Sequence, residues 1–307
     1  MTIGPRFIIL ERFTAKTPAE YRLKKSISNL DSPFVEHVDA ARKFLKKAGK
    51  KALPYLQEAM EEKWFEENTL MYEVPLVYAD IGGPAIPVLV KWIAHEDPYF
   101  STMAVSALEE IGSPAVPAIC EAITGPDEEA RILAINLLGV IKDIRAVPCL
   151  IKVLAEDAET ARYETMNAIT DIGPTCYPLV LPLLKGDNLH LVCSAIELLP
   201  GLDREKGIDA IMPCFADPRD EVWDAVFDSL VFLKPPPVPE MCRYLSCGIP
   251  GVMIGAMNIL GNNGDETVIP ELVRLLDHPD TDVRESAAWC IEKIMNSETR
   301  KPVDMLS

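Results

Sequence analysis

No stretch of this 307-residue sequence approaches the apolar length that a membrane-crossing helix needs, about 18 residues. Near the N-terminus, Phe7–Leu10 is the longest apolar run, and Arg6 and Glu11 close it off. That is too short for the core of a secretion signal. The expectation is a cytoplasmic chain that neither crosses nor binds a membrane.

Catalytic signatures are missing too. The four histidines, His37, His95, His190 and His278, lie far apart and form no HExxH pair. No GxGxxG, GxxxxGK or GxSxG pattern occurs. Ile81-Gly82-Gly83-Pro84 follows no strand and reads as a turn between helices. The eight cysteines form no CxxC pair and mostly sit inside apolar helical runs. They read as free, buried thiols in a reducing compartment. These absences point to no cofactor and no metal.

Positive charge is scarce after residue 63. Residues 1–63 hold 13 Lys/Arg against 8 Asp/Glu, and the remainder 17 against 39, within a formal net charge of -17. Such a body repels phosphate backbones, which argues against nucleic acid as a partner and against a helical-repeat DNA glycosylase.

What is abundant is proline, 26 residues, in a chain whose 49% apolar content is that of a folded protein. The prolines keep time. Pro54, Pro87, Pro117, Pro148, Pro178, Pro239 and Pro270 follow one another at 30 to 33 residues, with Ile208 filling the slot between Pro178 and Pro239. Each precedes an apolar helical pattern and fits a first helical turn, where proline's missing N–H costs nothing. A polar turn follows, such as His95-Glu96-Asp97 or Gly125-Pro126-Asp127. Its Asp or Asn suits the N-cap of a second helix. Two helices per roughly 30 residues is the signature of an all-α superhelical solenoid, here of about eight units.

The units from Ile81 and Ile111, with Gly-x-x-Ala-Val/Ile-Pro-x-Leu openings, and the last unit through Val283-Arg284-Glu285-Ser286-Ala287 resemble HEAT-like repeats. More narrowly they resemble the short subtype named after phycobilisome lyases. The resemblance implies that Arg131, Arg162 and Arg284 brace contacts between units through nearby Asp side chains. It also implies that second helices line an inner, concave groove. A single His-Glu pair, His95-Glu96, falls short of the several that HEAT-repeat iron hydroxylases carry.

The division reads as an N-terminal extension over 1–23, a capping helix or helical pair over 24–47, the repeat solenoid over 48–295, and a frayed C-terminal tail over 296–307. In 24–47, Phe34, Val38, Ala41 and Leu45 share one helical face. Lys234-Pro235-Pro236-Pro237 replaces the usual turn in the least regular stretch, 202–251.

One slot of the second helices reads Ser106, Asn136, Asn167, Glu197, Asp228, Asn258 and Trp289, at steps of 30 or 31. Four residues earlier the same helices carry Tyr163 and Asp224 among others, and a further turn back Asp220. The candidate partner-binding residues are therefore Asn136, Tyr163, Asn167, Glu197, Asp220, Asp224, Asp228, Asn258 and Trp289. Asp220, Asp224 and Asp228 repeat at i,i+4, so like charges crowd one helix face and a basic segment would relieve them. Trp289 reads as an aromatic anchor or as a ring buried under the tail. The expected function is a non-enzymatic scaffold or adaptor that binds a protein or peptide, basic in character where it meets the acids. The alternative is a lyase-like enzyme or chaperone handling a tetrapyrrole or other cofactor. Self-association is left open.

Overall fold

The computed structural model describes residues 15–62, 64–65, 69–156, 159–264 and 266–298. Among them, all regular structure is helical. The first three helices are α1 (Pro18–Ser28), α2 (Val35–Ala48) and α3 (Leu53–Glu61). Next come α4 (Val74–Ile81), α5 (Ile86–Ile93), α6 (Pro98–Ile111), α7 (Val116–Ala122) and α8 (Glu128–Ile141). They are followed by α9 (Val147–Ala155), α10 (Glu159–Ile172), α11 (Tyr177–Val180), α12 (Leu189–Leu202) and α13 (Arg204–Ile211). The last are α14 (Asp220–Val231), α15 (Val238–Tyr244), α16 (Pro250–Asn263), α17 (Ile269–Leu275) and α18 (Thr281–Glu298). Short first helices alternate with longer second helices, so each part of the described chain is an all-α array of two-helix repeats.

The proline register is a helix-start register. Pro54, Pro87, Pro117, Pro148, Pro178, Pro239 and Pro270 each occupy the second residue of a first helix. Two residues on, Leu56, Leu89, Ile119, Leu150, Val180, Met241 and Leu272 are wholly buried. Ile208 in the proline slot lies inside α13 and is also buried. That helix starts earlier, at Arg204, and the carboxylate of its N-cap residue Asp203 accepts the Lys206 N–H. The other end of each unit needs a reversal. Gly82, Gly112 and Gly173 make it at φ of 70°, 68° and 99°, a region open to glycine. Lys142 takes the same place after α8 in a left-handed conformation, φ 57°. Asp97, Asp127 and Asn188 accept backbone N–H groups at the starts of α6, α8 and α12, as the turn sequences lead one to expect.

The chain groups into two compact units, one holding residues up to Val153 together with Glu159–Ile172, the other Leu154–Ala158 and the residues from Gly173 on. The first unit opens with α1 and α2. Lys24 of α1 is buried and reaches Glu58 of α3 at 2.7 Å, tying the pair to the first repeat. On the α2 stripe Ala41 and Leu45 are buried, whereas Phe34 precedes the helix as its N-cap residue and stays exposed. Trp92 packs edge-on to Tyr78 and Phe100 and is buried, as its first-helix position requires. In the second unit Arg204 holds the proline-rich turn, donating to the Pro235 carbonyl and to Glu240.

Three readings change. Cys120 of α7 and Cys149 of α9 form a disulfide with a Cα–Cα distance of 5.8 Å, so these two are not free thiols. Of the free thiols only Cys176 and Cys290 are buried; Cys193, Cys214 and Cys242 are half-buried and Cys247 is exposed. Among the described residues Arg284 reaches no aspartate; its guanidinium donates to the His278 and Pro279 carbonyls and the Thr281 hydroxyl of its own turn. Repeats are braced elsewhere: Arg145 donates to the Ser113 carbonyl one repeat back, and Tyr244 to Asp209. The Arg131 Nε is buried without a partner among the described residues. Helix α18 runs from Thr281 to Glu298. Residues 299–307 and 1–14 lie outside the described residues.

Candidate functional site

The slot residues are placed by the packing of the second helices. In α8, Ile135, Leu137 and Leu138 are buried, which leaves Asn136 facing out. In α10, Ala168 and Ile169 are buried, Asn167 is exposed, and Tyr163 one turn earlier is 69% exposed. The two helices approach closely, because a Cβ on Gly139 would stand 2.9 Å from the Ala168 Cα. Asn136, Tyr163 and Asn167 therefore share one exposed face in the first unit.

In the second unit α12, α14, α16 and α18 pack in sequence. Glu197, Asp228 and Trp289 are exposed and Asn258 is half-buried, one residue on each helix. Asp220, Asp224 and Asp228 all face solvent on α14, and among the described residues none of them makes an ion pair. The nearest basic group along the chain, Arg219, is committed to Asp217 at 2.8 Å. That hydrogen bond holds the Asp217 carboxyl below its ordinary range.

Extending the ladder one turn toward the helix C-termini gives Gly201, Phe232, Asn262 and Lys293, again 31, 30 and 31 apart. Phe232, the C-cap residue just past α14, is 76% exposed and stands one turn after Asp228. The sequence reading passed over it; the same four-residue step that links Asp224 to Asp228 leads on to it. Trp289 is less open than its slot suggests. Its ring lies against Gly261, and the Lys293 ammonium sits 4.7 Å over the ring while donating to Asn262.

His95 Nδ1 accepts the Asp97 N–H and its ring stacks on Phe100, so it serves the turn before α6. His278 does the same before α18, accepting from the Asp280 N–H. Burial pushes the Cys290 thiol up to about 12, far from a nucleophile at neutral pH. Among the described residues no group of three or more His, Cys, Asp or Glu side chains converges to hold a metal. No single described helix is long and apolar enough to cross a membrane.

No curated protein matches this chain. Several solved structures are similar. The chain is 17% identical to an engineered protein, over 95% of this chain and 89% of that one, with a TM-score of 0.31. It is 15% identical to human deoxyhypusine hydroxylase in complex with glycerol, over 72% and 98%, with a TM-score of 0.33. It is 10% identical to a chain of the Pds5–Scc1 complex, over 97% and 57%, with a TM-score of 0.45. The fold assignment rests on the helix order itself, and at the C-terminal end residues 238–306 match the family model described as HEAT repeats.

Proposed function

We propose that this chain is a non-enzymatic scaffold that holds a protein segment on its second-helix face, and that the segment is basic where it crosses α14. The observation that carries this is the α14 face: three exposed aspartates that make no ion pair among the described residues, followed by an exposed phenylalanine at the C-cap. Like charges at i,i+4 cost a few tenths of a kcal/mol per pair, which Lys or Arg side chains of a partner would relieve. Phe232 supplies an apolar contact beside them. Packed helices lie about 8–10 Å apart and an extended chain advances about 3.3 Å per residue. A partner running across the ladder therefore meets a new second helix about every third residue. The Ile-Gly-x-Pro-Ala-Val/Ile-Pro openings support the phycobilisome-lyase-type repeat as the finer subtype.

Partners recovered on the purified chain would be identified and their binding remeasured after charge reversal. Asp220→Lys/Asp224→Lys/Asp228→Lys is expected to weaken binding roughly tenfold or more, and added salt to weaken the wild type in the same direction. Binding that survives the reversal but falls with Phe232→Ala would remove the basic partner and leave the scaffold. A purified chain with visible absorbance and no protein partner would replace the scaffold by the cofactor-handling alternative.

A further inference from the structure

The first unit holds an open cavity of about 340 Å³ beside α2 and the turn that leads into α4. One face of α2 lines it, since Val35, Val38, Asp39 and Arg42 stand at i, i+3, i+4 and i+7. Buried Leu30 adds to the apolar lining. The rest comes largely from a π-helical turn, Thr69–Glu73, that runs directly into α4. Such widened turns are rare and are frequent at functional sites. Here the turn brings Tyr72 and Glu73 to the cavity side by side. Tyr72 is 69% and Val35 71% exposed, so the apolar part of the lining stands open to solvent.

The polar groups of the lining divide into those already spent and those not. The Ser32 hydroxyl is hydrogen-bonded to His37 Nδ1 at 3.1 Å, and the Thr69 hydroxyl donates to Asp31. Arg42, the cation of the lining, donates to Asp80 through both Nε and Nη2, and Lys46 joins the same carboxylate at 3.1 Å. Asp39 and Glu73 are left over. Among the described residues neither makes an ion pair. Glu73 is half-buried, and its Oε2 is enclosed by protein without a hydrogen bond among the described residues. A carboxylate shielded in this way, with no donor beside it, carries a charge that its surroundings do not balance. The side from which a counter-charge can arrive is the cavity. An anion would gain little here, because the Arg42 guanidinium is taken.

We propose that this cavity binds a small organic cation, an ammonium or guanidinium group carried on an apolar body. The charged head meets Glu73 and Asp39. The body lies along Val35, Val38 and Tyr72, and the Tyr72 ring attracts a cation in its own right. A volume of about 340 Å³ is at the small end of the range for ligand sites, which suits a single ring or a short alkyl chain. The site belongs to the first unit and does not depend on the α14 face.

Titration calorimetry of the full chain with phenethylamine, phenethyl alcohol and hydrocinnamate tests the proposal, the three probes sharing a ring and differing in charge. The protonated amine is expected to bind saturably and at least about tenfold tighter than the neutral and anionic probes. Glu73→Gln keeps the shape and removes the charge; it is expected to weaken the amine about tenfold and to leave the alcohol unchanged. Tyr72→Ala removes an exposed ring without touching the core, and is expected to weaken the amine severalfold. Asp220→Lys/Asp224→Lys/Asp228→Lys is expected to leave amine binding as it is in physiological salt, where distant surface charges are screened. Equal affinity for the three probes, or no saturable binding of the amine, would overturn the proposal. So would amine binding that is unchanged in both Glu73→Gln and Tyr72→Ala. A loss in the triple aspartate variant as large as in Glu73→Gln would also overturn it, since general attraction to an acidic chain would then account for the binding.

Discussion

A methyl group has no room at Gly207. A Cβ there would stand 2.2 Å from the Leu199 carbonyl oxygen, because α13 lies against the last turn of α12. Gly207→Ala is expected to cost about 1–3 kcal/mol, the range of backbone overpacking, read as a lower urea midpoint; an unchanged midpoint would mean that α13 can slide away. The paired carboxylates make a second residue-scale prediction. Arg145 hydrogen bonds hold Asp143 well below the usual carboxylate range, and Arg219 lowers Asp217 in the same way. Depressed folded pKa values stabilise the fold above the unfolded value of about 3.9, and that contribution fades as pH falls through the folded values. Arg145→Met/Arg219→Met should therefore flatten the acid-side fall of the urea midpoint between about pH 5 and pH 2. A variant that tracks the wild type through that window would show that neither pair contributes.

Among elements, the second helices depend on their caps. Asp127 accepts the Ala130 N–H at 3.0 Å. Asp127→Ala is expected to cost about 1 kcal/mol, with faster amide exchange confined to the first turn of α8; exchange that rises across all second helices alike would contradict local capping. These elements were legible in the sequence for a definite reason. Proline and glycine act on their own backbone, so Pro87 or Gly112 marks its place whatever surrounds it. The exposed ladder was legible because helical spacing fixes which residues share a face. Arg284 was not, since a long side chain chooses among acceptors that only packing brings near, and the carbonyls of its own turn are closer than any aspartate. Lys293 over Trp289 escaped for a related reason. Spacing says that the two share a face, not that one covers the other.

At the scale of the molecule, the pairing of Cys120 with Cys149 is the least legible contact. Cys120 is three residues after its proline and Cys149 one after the next, so alignment of the repeats puts them in different slots. Only the packing of the end of α7 beside the start of α9 unites them. The acidic balance, by contrast, was plain from composition and its concentration at Asp220, Asp224 and Asp228 from their spacing, whereas the exposure of Phe232 beside them needed the fold. The crosslink also sets a mechanical limit. Pulled from its two ends in an optical trap, the oxidised chain cannot release the 29 residue steps between Cys120 and Cys149. Its fully stretched length should fall short of the reduced chain's by roughly 100 Å, at about 3.5 Å per residue. With thiols reduced, the repeat around α8 should yield like its neighbours; oxidised, it should stay closed as a knot-like loop after every other unit has been drawn straight.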